Sequence, residues 1–158
     1  MTNESVITDE MRKSIGIESE PTIVEIEKEP IRRFAAAMGN NNPLHYDEEY
    51  ARQHGFRSIV APPGFNPLYC FPIKIGKPQE EVGRELRTRF THGLNGGGEY
   101  EFFQPIQAGD VLSITHRTSD IYEREGRMGK MIFIVSETIC RNLKGEIVFI
   151  SRNTGIRY

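Results

Sequence analysis

The chain has 158 residues, of which 37% are hydrophobic and 27% are charged, and its formal net charge is -2 at pH 7. This length and composition fit one globular domain, so we expect a single domain over residues 1–158. The balanced charge argues against nucleic-acid or membrane binding, and the lack of a long apolar run or a signal-like N-terminus predicts a cytoplasmic protein.

The cysteines and glycines give no sign of a metal or cofactor site. Cys70 and Cys140 lie far apart in the sequence, without Cys-x-x-Cys or Cys/His spacing, so neither a disulfide framework nor a zinc site is expected. The glycine run at residues 96–98 lacks the Lys-Ser/Thr ending of a phosphate-binding loop. We therefore expect no metal and no bound cofactor.

The N-terminal third predicts an arm, one strand and two helices. Residues 1–21 form the arm, with a short helix over 8–16. Alternating β-branched and polar residues at 22–27 predict a strand with one buried face. A helix follows over 30–39, since proline suits its first turn and glycine its end, and another runs over 47–54. The predicted apolar face of the 30–39 helix comprises Ile31, Phe34, Ala35 and Met38.

The rest of the chain predicts one buried helix followed by a meander of strands. The apolar run at residues 65–75 predicts a largely buried helix, interrupted in composition by two prolines. A polar loop is expected after it, up to about Gly98. The four predicted strands are residues 99–104, 111–123, 131–141 and 146–152. This order predicts an α+β fold in which an antiparallel sheet wraps around one central helix.

Three motifs in this order resemble those of one enzyme family. Residues 39–45 read Gly-Asn-Asn-Asn-Pro-Leu-His and are similar to the Gly-Asp-x-Asn-Pro-(aliphatic)-His signature of MaoC-like dehydratases and (R)-specific enoyl-CoA hydratases. Residues 55–65 resemble the segment before the central helix in dehydratase half-domains of the N-terminal type. Residues 102–110 resemble an aromatic-Pro-aliphatic-x-x-Gly-Asp turn between two strands. The resemblance spans nearly the whole chain and implies a single hot-dog domain.

The first motif supplies the candidate catalytic residues. The resemblance implies that His45 acts as base or acid, and an imidazole exchanges protons close to neutral pH. The Asp of the family signature is replaced here by Asn40, whose amide can hold a water molecule but cannot take its proton. Asn42 is predicted to hold the turn and to contact the substrate.

The second motif supplies candidate substrate-binding residues. In the family, a backbone N–H at the start of the central helix polarises the thioester carbonyl. The corresponding residue is Pro63, which has no N–H, so we expect Gly64 to be the donor instead. Pro63 and Phe65 are predicted to line the substrate site on either side of it.

The resemblance implies reversible (R)-specific hydration of a 2-enoyl-CoA to a 3-hydroxyacyl-CoA. The expected substrate is a thioester of coenzyme A or of acyl carrier protein. The exposed edge of a single hot-dog sheet, together with the resemblance, predicts a dimer with an identical chain or with another MaoC-like chain. Because Asn40 breaks the usual acid–base pair, a non-catalytic acyl-CoA-binding subunit is the alternative. A hot-dog thioesterase is the weakest interpretation, since residues 65–75 contain no Asp or Glu.

Overall fold

The computed structural model describes residues 5–70, 90–127 and 129–158. These residues form three short α-helices and one five-stranded antiparallel sheet, so the observed class is α+β. No helix within these ranges is both long and apolar enough to cross a membrane. The helices and strands are α1 (Asp9–Ser14), β1 (Thr22–Glu25), α2 (Lys28–Ala37), α3 (Glu48–Gln53), β2 (Gly93–Phe102), β3 (Val111–Gly126), β4 (Gly129–Arg141) and β5 (Ile147–Arg157). Single 3-10 turns lie at Pro43–His45 and Pro67–Cys70.

The sheet has the strand order β1-β3-β4-β5-β2, and every neighbouring pair is antiparallel. β3, β4 and β5 follow one another through hairpins. The turn between β4 and β5 is closed by Asn142, whose side-chain oxygen accepts the backbone N–H groups of Lys144 and Glu146 at 2.9 and 3.0 Å. β1 and β2 form the two edges of the described sheet, so β2 pairs only with β5 among the described strands.

The principal core joins one side of α2 to one face of the sheet. Ile31 of α2 is fully buried in one apolar cluster with Ile114 of β3 and Phe149 of β5, and Ala35 of the same helix is fully buried as well. The i, i+4 spacing of Ile31 and Ala35 places both side chains on the same side of the helix. Full burial of a side chain such as Ile31 or Phe149 contributes about 1.5–3 kcal/mol each.

The N-terminal arm packs against the far end of the sheet. Thr8 caps α1 by accepting the backbone N–H of Met11 at 3.2 Å. Met11 is 1% exposed and packs with the buried sheet residues Ile121 and Ile132. The Glu123 carboxylate of β3 accepts hydrogen bonds from the start of the arm, and these bonds hold its pKa below the usual value. The arm thus covers apolar sheet surface that would otherwise face water.

A row of ion pairs crosses the other face of the sheet. Glu137 of β4 pairs in register with Arg117 of β3 and Arg152 of β5. Its two carboxylate oxygens accept from Arg117 Nε at 2.6 Å and from Arg152 Nε at 2.8 Å. Glu137 is 3% exposed, whereas the core residue Cys140, three positions further along, points to the opposite face. The charge of Glu137 is therefore both buried and paired.

Several local predictions differ from the structure. β5 runs on to Arg157, whereas its predicted end was residue 152. Met38 was expected on the buried side of α2 but is 66% exposed, because the helix ends at Ala37 and Met38 is its C-cap. β2 begins at Gly93 rather than at residue 99, and a bulge between Asn95 and Gly98 absorbs the glycine run. Of the helix predicted over residues 65–75, the described part forms only the 3-10 turn Pro67–Cys70, and residues 71–75 lie outside the described ranges.

Candidate functional site

The polar turn after α2 folds back on itself and delivers His45 to the site. Gly39 adopts φ +64°, a left-handed conformation that glycine takes at little cost, and this ends α2. Asn42 caps the following 3-10 turn, because its side-chain oxygen accepts the Leu44 N–H at 3.1 Å. The His45 N–H then donates to the Asn42 carbonyl at 3.1 Å. Local hydrogen bonds therefore fix the backbone on both sides of the imidazole.

The His45 ring is 5% exposed and is held at both of its nitrogens. Nδ1 lies 2.7 Å from the carbonyl oxygen of Val60, and Nε2 lies 3.2 Å from Nδ2 of Asn40. A carbonyl oxygen only accepts, so Nδ1 must carry the proton in this contact. In the neutral ring Nε2 is consequently the nitrogen with the free lone pair, and the Asn40 amide donates to it.

Asn40 is oriented by the same turn. Its Oδ1 accepts the backbone N–H of Asn42 at 3.1 Å, which leaves Nδ2 on the side of His45. An Asp at this position would present an acceptor oxygen to Nε2 and would favour a proton between the two groups. The amide instead donates a hydrogen bond to Nε2 and brings no charge of its own to the pair.

Asp47, close to His45 in the sequence, has a different task. Its Oδ1 accepts the backbone N–H groups of Glu49 and Tyr50 at 2.9 and 3.1 Å, so it is the N-cap of α3. The first turn of α3 also holds Glu48, whose pKa is lowered chiefly by Lys28 and then by the Ser58 hydroxyl. These contacts join α2, α3 and the segment leading to Val60, and thereby support the imidazole.

A cleft of about 500 Å³ opens beside Asn40 and His45. Three segments of the chain line it, residues 40–45, 60–65 and 102–106. Backbone hydrogen bonds join them, from Val60 N–H to the Leu44 carbonyl at 2.9 Å and from Ala61 N–H to the Ile106 carbonyl at 2.8 Å. Apolar side chains dominate the lining. The residues that line it are Asn40, Asn42, Leu44, His45, Val60, Ala61, Pro62, Pro63, Phe65, Phe102, Phe103, Gln104, Pro105 and Ile106.

Five of the six predicted site residues line this cleft, and Gly64 does not. The Phe65 N–H donates to the Pro62 carbonyl at 3.1 Å, and Gly64 has φ +88°, so residues 62–65 form a reverse turn with glycine at its third position. The described 3-10 turn begins only at Pro67, which differs from the expectation that Gly64 starts a helix. The role of Gly64 as the carbonyl donor stays a prediction.

The wall formed by residues 102–106 was not predicted as part of the site. Phe102 packs against the buried Phe149 with ring centroids 5.0 Å apart, and Phe103 is 56% exposed. The only sequence signal was the motif at residues 102–110, which marked a turn between strands. Nothing local to that motif indicates that it lies opposite a histidine nearly 60 positions earlier.

Comparisons with known proteins identify the family of this chain. Residues 13–151 match the family described as FAS1-like, dehydratase domain region. The chain belongs to this FAS1-like dehydratase family. The chain is also similar to a UPF0336 protein of Saccharopolyspora erythraea. The two are 30% identical over 141 residues, which cover 89% of this chain and 86% of the relative. A probable enoyl-CoA hydratase alpha subunit of Thermomonospora curvata is 28% identical over 138 residues, which cover 81% of this chain and 43% of that protein.

Solved structures show the fold of this FAS1-like dehydratase family member. The C-terminally truncated HadBC (3R-hydroxyacyl-ACP dehydratase) complex of Mycobacterium tuberculosis superposes with a TM-score of 0.72 at 24% identity, covering 95% of this chain and 98% of that one. A MaoC-like dehydratase superposes with a TM-score of 0.68 at 22% identity, covering 91% of this chain and 42% of that one. The predicted MaoC-like resemblance and hot-dog fold are thus confirmed.

Proposed function

We propose that this chain carries out reversible (R)-specific hydration of a 2-enoyl thioester to a 3-hydroxyacyl thioester, paired with a second MaoC-like chain. The observation that carries the proposal is the state of His45. Its ring is buried, its proton is held at Nδ1 by the Val60 carbonyl, and its basic Nε2 lies at the wall of an apolar cleft. Family membership supports the coarser class of hydratase or dehydratase.

In the hydration direction, the neutral Nε2 of His45 accepts a proton from water while the water oxygen bonds to C3 of the enoyl group. The electron pair of the C2–C3 double bond moves towards the thioester and forms an enolate. The imidazolium then returns its proton to C2, so hydrogen and hydroxyl add across the double bond and the histidine is regenerated. Dehydration is the same sequence in reverse.

Asn40 changes how this step begins. Nδ2 of Asn40 lies 3.2 Å from Nε2 and its amide hydrogen occupies the lone pair. The water can reach that lone pair only when it replaces the amide hydrogen. Exchange of one neutral hydrogen bond for another costs about 1 kcal/mol or less, which is small beside the 8 kcal/mol or more that enzymes commonly remove from a barrier. The displaced amide N–H can then donate to the water oxygen.

The cleft suits the acyl part of such a substrate. Side chains of Leu44, Phe65, Phe102 and Ile106 present apolar surface within the same space as the imidazole. A thioester of coenzyme A or of acyl carrier protein would place its acyl group there. We expect the reaction to take place in the cytoplasm.

A partner chain is part of the proposal for two reasons. The HadBC assembly is a complex, and the Thermomonospora curvata relative is described as an alpha subunit. In addition, β2 is a ten-residue edge strand whose Tyr100 and Phe102 side chains are 48% and 43% exposed. Edge strands with unpaired backbone groups and exposed aromatic side chains are commonly covered by another chain.

The second candidate is a non-catalytic subunit that binds the acyl thioester while its partner supplies the acid and base. The occupied lone pair of Nε2 favours it, as does the inability of Asn40 to accept a proton. Pro63 also lines the cleft without a backbone N–H to offer. Both candidates use the same cleft, and they differ in whether His45 takes part in proton transfer.

Loss of enoyl absorbance with crotonyl-CoA tests the proposal. The parent chain is compared with His45→Ala and with a control, His54→Ala, which removes an exposed imidazole at the end of α3. Hydration by the parent and the control that collapses in His45→Ala supports the hydratase. Binding of the thioester without turnover, repeated with a longer enoyl-CoA, would replace it with the acyl-binding subunit.

A further inference from the structure

We propose that Tyr46 is a positioning residue of this site, and that its phenol hydroxyl sets the orientation of the Asn40 amide towards His45. The inference rests on the proposed function, because it concerns how the imidazole of that site is prepared. Tyr46 follows His45 directly in the sequence, at a position where the motif itself demands no particular side chain. Its role emerges only from the contacts that it makes.

Tyr46 fixes the backbone of Asn40 by a hydrogen bond. The Tyr46 hydroxyl donates to the backbone carbonyl of Asn40 at 2.8 Å. On the other side of the same residue, the Asn40 N–H donates to the carbonyl of Ala35, the last buried residue of α2, at 2.9 Å. Both backbone polar groups of Asn40 are therefore fixed, and the amide side chain starts from a defined backbone position.

Tyr46 is itself anchored by hydrogen bonds at both of its backbone polar groups. Its N–H donates to the Pro43 carbonyl at 3.0 Å, and its carbonyl accepts from Nη2 of Arg32 at 3.2 Å. Arg32 belongs to α2, the helix that also supplies the Ala35 carbonyl. Tyr46 and Asn40 are thus tied to one rigid helix from two directions, with the turn that carries His45 held between them.

This arrangement protects the hydrogen bond between the Asn40 amide and His45. The contact between Asn40 Nδ2 and His45 Nε2 is 3.2 Å long, at the upper end of an ordinary N–H hydrogen bond. Small rotations of the Asn40 peptide would break it. The Tyr46 ring meets the His45 ring edge-on, with centroids 6.5 Å apart, so a phenylalanine at this position would keep the ring contact and remove only the hydroxyl. The phenol oxygen can therefore be tested separately from ring packing.

The experiment is a double-mutant cycle between Tyr46→Phe and Asn40→Ala, with Tyr50→Phe as the matched control. Tyr50 is a half-buried tyrosine of α3 whose ring stacks on His54 at 4.1 Å. Two quantities are measured for each variant: the ¹⁵N chemical shift of His45 Nε2 at alkaline pH, and the crotonyl-CoA hydration rate. The chemical shift reports the amide contact whether or not the chain turns over substrate alone.

We expect Tyr46→Phe to shift the Nε2 resonance in the same direction as Asn40→Ala and to change kcat roughly two- to tenfold, the range that one neutral hydrogen bond carries. KM should change less than kcat, since the apolar lining is intact. In the Asn40→Ala background, Tyr46→Phe should have no further effect on either quantity. Tyr50→Phe should match the parent in both.

An unchanged Nε2 resonance in Tyr46→Phe would overturn the proposal, and so would effects of Tyr46→Phe that are equally large with and without Asn40. If Tyr46→Phe does not fold, Arg32→Gln releases the other anchor of Tyr46 and must show the same dependence on Asn40. A coupled chemical shift in a chain that shows no turnover upholds Tyr46 as a positioning residue while removing the hydratase proposal. The two failures are therefore distinguishable.

Discussion

Two polar networks in this chain are built from different kinds of bonds. The turn around His45 uses neutral donors and acceptors over a few neighbouring residues, whereas the row around Glu137 joins full charges across three strands. Both His45 and Glu137 are at most 5% exposed. The difference teaches that burial of a titratable group does not by itself mark a site: His45 opens onto a cleft, while the Glu137 carboxylate is enclosed by two guanidinium groups.

Replacement of His45 should separate activity from stability most sharply. His45→Ala is expected to lower hydration of crotonyl-CoA by about a hundred- to ten-thousandfold, the contribution of a general acid or base. Its folding cost should be about 1–2 kcal/mol, because the Val60 carbonyl loses one hydrogen bond. Initial rates and urea unfolding measure the two effects. If the loss of unfolding free energy were as large as the rise in activation free energy, His45 would be a structural residue like Glu137.

Replacement of Glu137 should give the converse result. Glu137→Ala leaves Arg117 and Arg152 without their shared carboxylate, although Glu18 and Glu101 remain near them. Since these arginines are about one-third exposed, we expect a loss near the low end for a broken buried pair, about 3 kcal/mol. Urea unfolding measures it, with Glu99→Ala as the control because Glu99 is 66% exposed. Equal stabilities of the two variants would contradict this role for Glu137.

Asn40→Asp should move the neutral network towards a charged one. The carboxylate would present an acceptor to Nε2 and to water, so a catalytic chain is expected to gain at least about tenfold in hydration rate. The same change should make the imidazole easier to protonate, which histidine ¹⁵N resonances would report. Asn153→Asp, an exposed substitution on β5, controls for added charge. No gain in rate from the folded variant would favour the acyl-binding subunit.

Acid should weaken the ion pairs that Glu18 makes with the sheet. The pKa of Glu18 is lowered, chiefly by the Arg141 hydrogen bond and then by Thr115. A carboxyl with a depressed folded pKa contributes stability that is complete above its unfolded value of 4.5 and is lost as pH falls through the folded value. Thermal unfolding should show that Glu18→Gln has a smaller loss of Tm than the parent on acidification below about pH 4.5. Parallel losses would show that Glu18 does not take part.

The sequence predicted the elements whose signals are local. Thr8 before α1, Gly39 after α2 and Asp47 before α3 mark helix ends at or next to the observed ones, because caps and left-handed glycines are requirements of single positions. Turn residues between the strands marked β3 to β5 in the same way. The start of β2 was missed because Gly96 to Gly98 resembles a loop, whereas pairing with β5 across a bulge overrides that preference.

The sequence predicted two of the three segments that line the candidate site, residues 40–45 and 63–65, and missed the third, residues 102–106. Asn40, Asn42 and His45 belong to one continuous motif, so their proximity follows from the sequence. Phe102 and Ile106 come to face them through the register of β2 with β5 and the Ala61–Ile106 hydrogen bond, which no local pattern contains. The bond from the Tyr46 hydroxyl to the Asn40 carbonyl could not be predicted either, since no local pattern contains it.

The bulge in β2 also limits how copies of this chain can pair along the free edge of the sheet. A free strand edge pairs with any extended segment it meets, including the same strand of a second copy released during synthesis. Between Asn95 and Gly98 the ladder loses its register, and Gly97 has φ +112°, so a straight incoming strand cannot continue past this point. The irregularity therefore confines straight pairing along this edge to the stretch from Glu99 to Phe102.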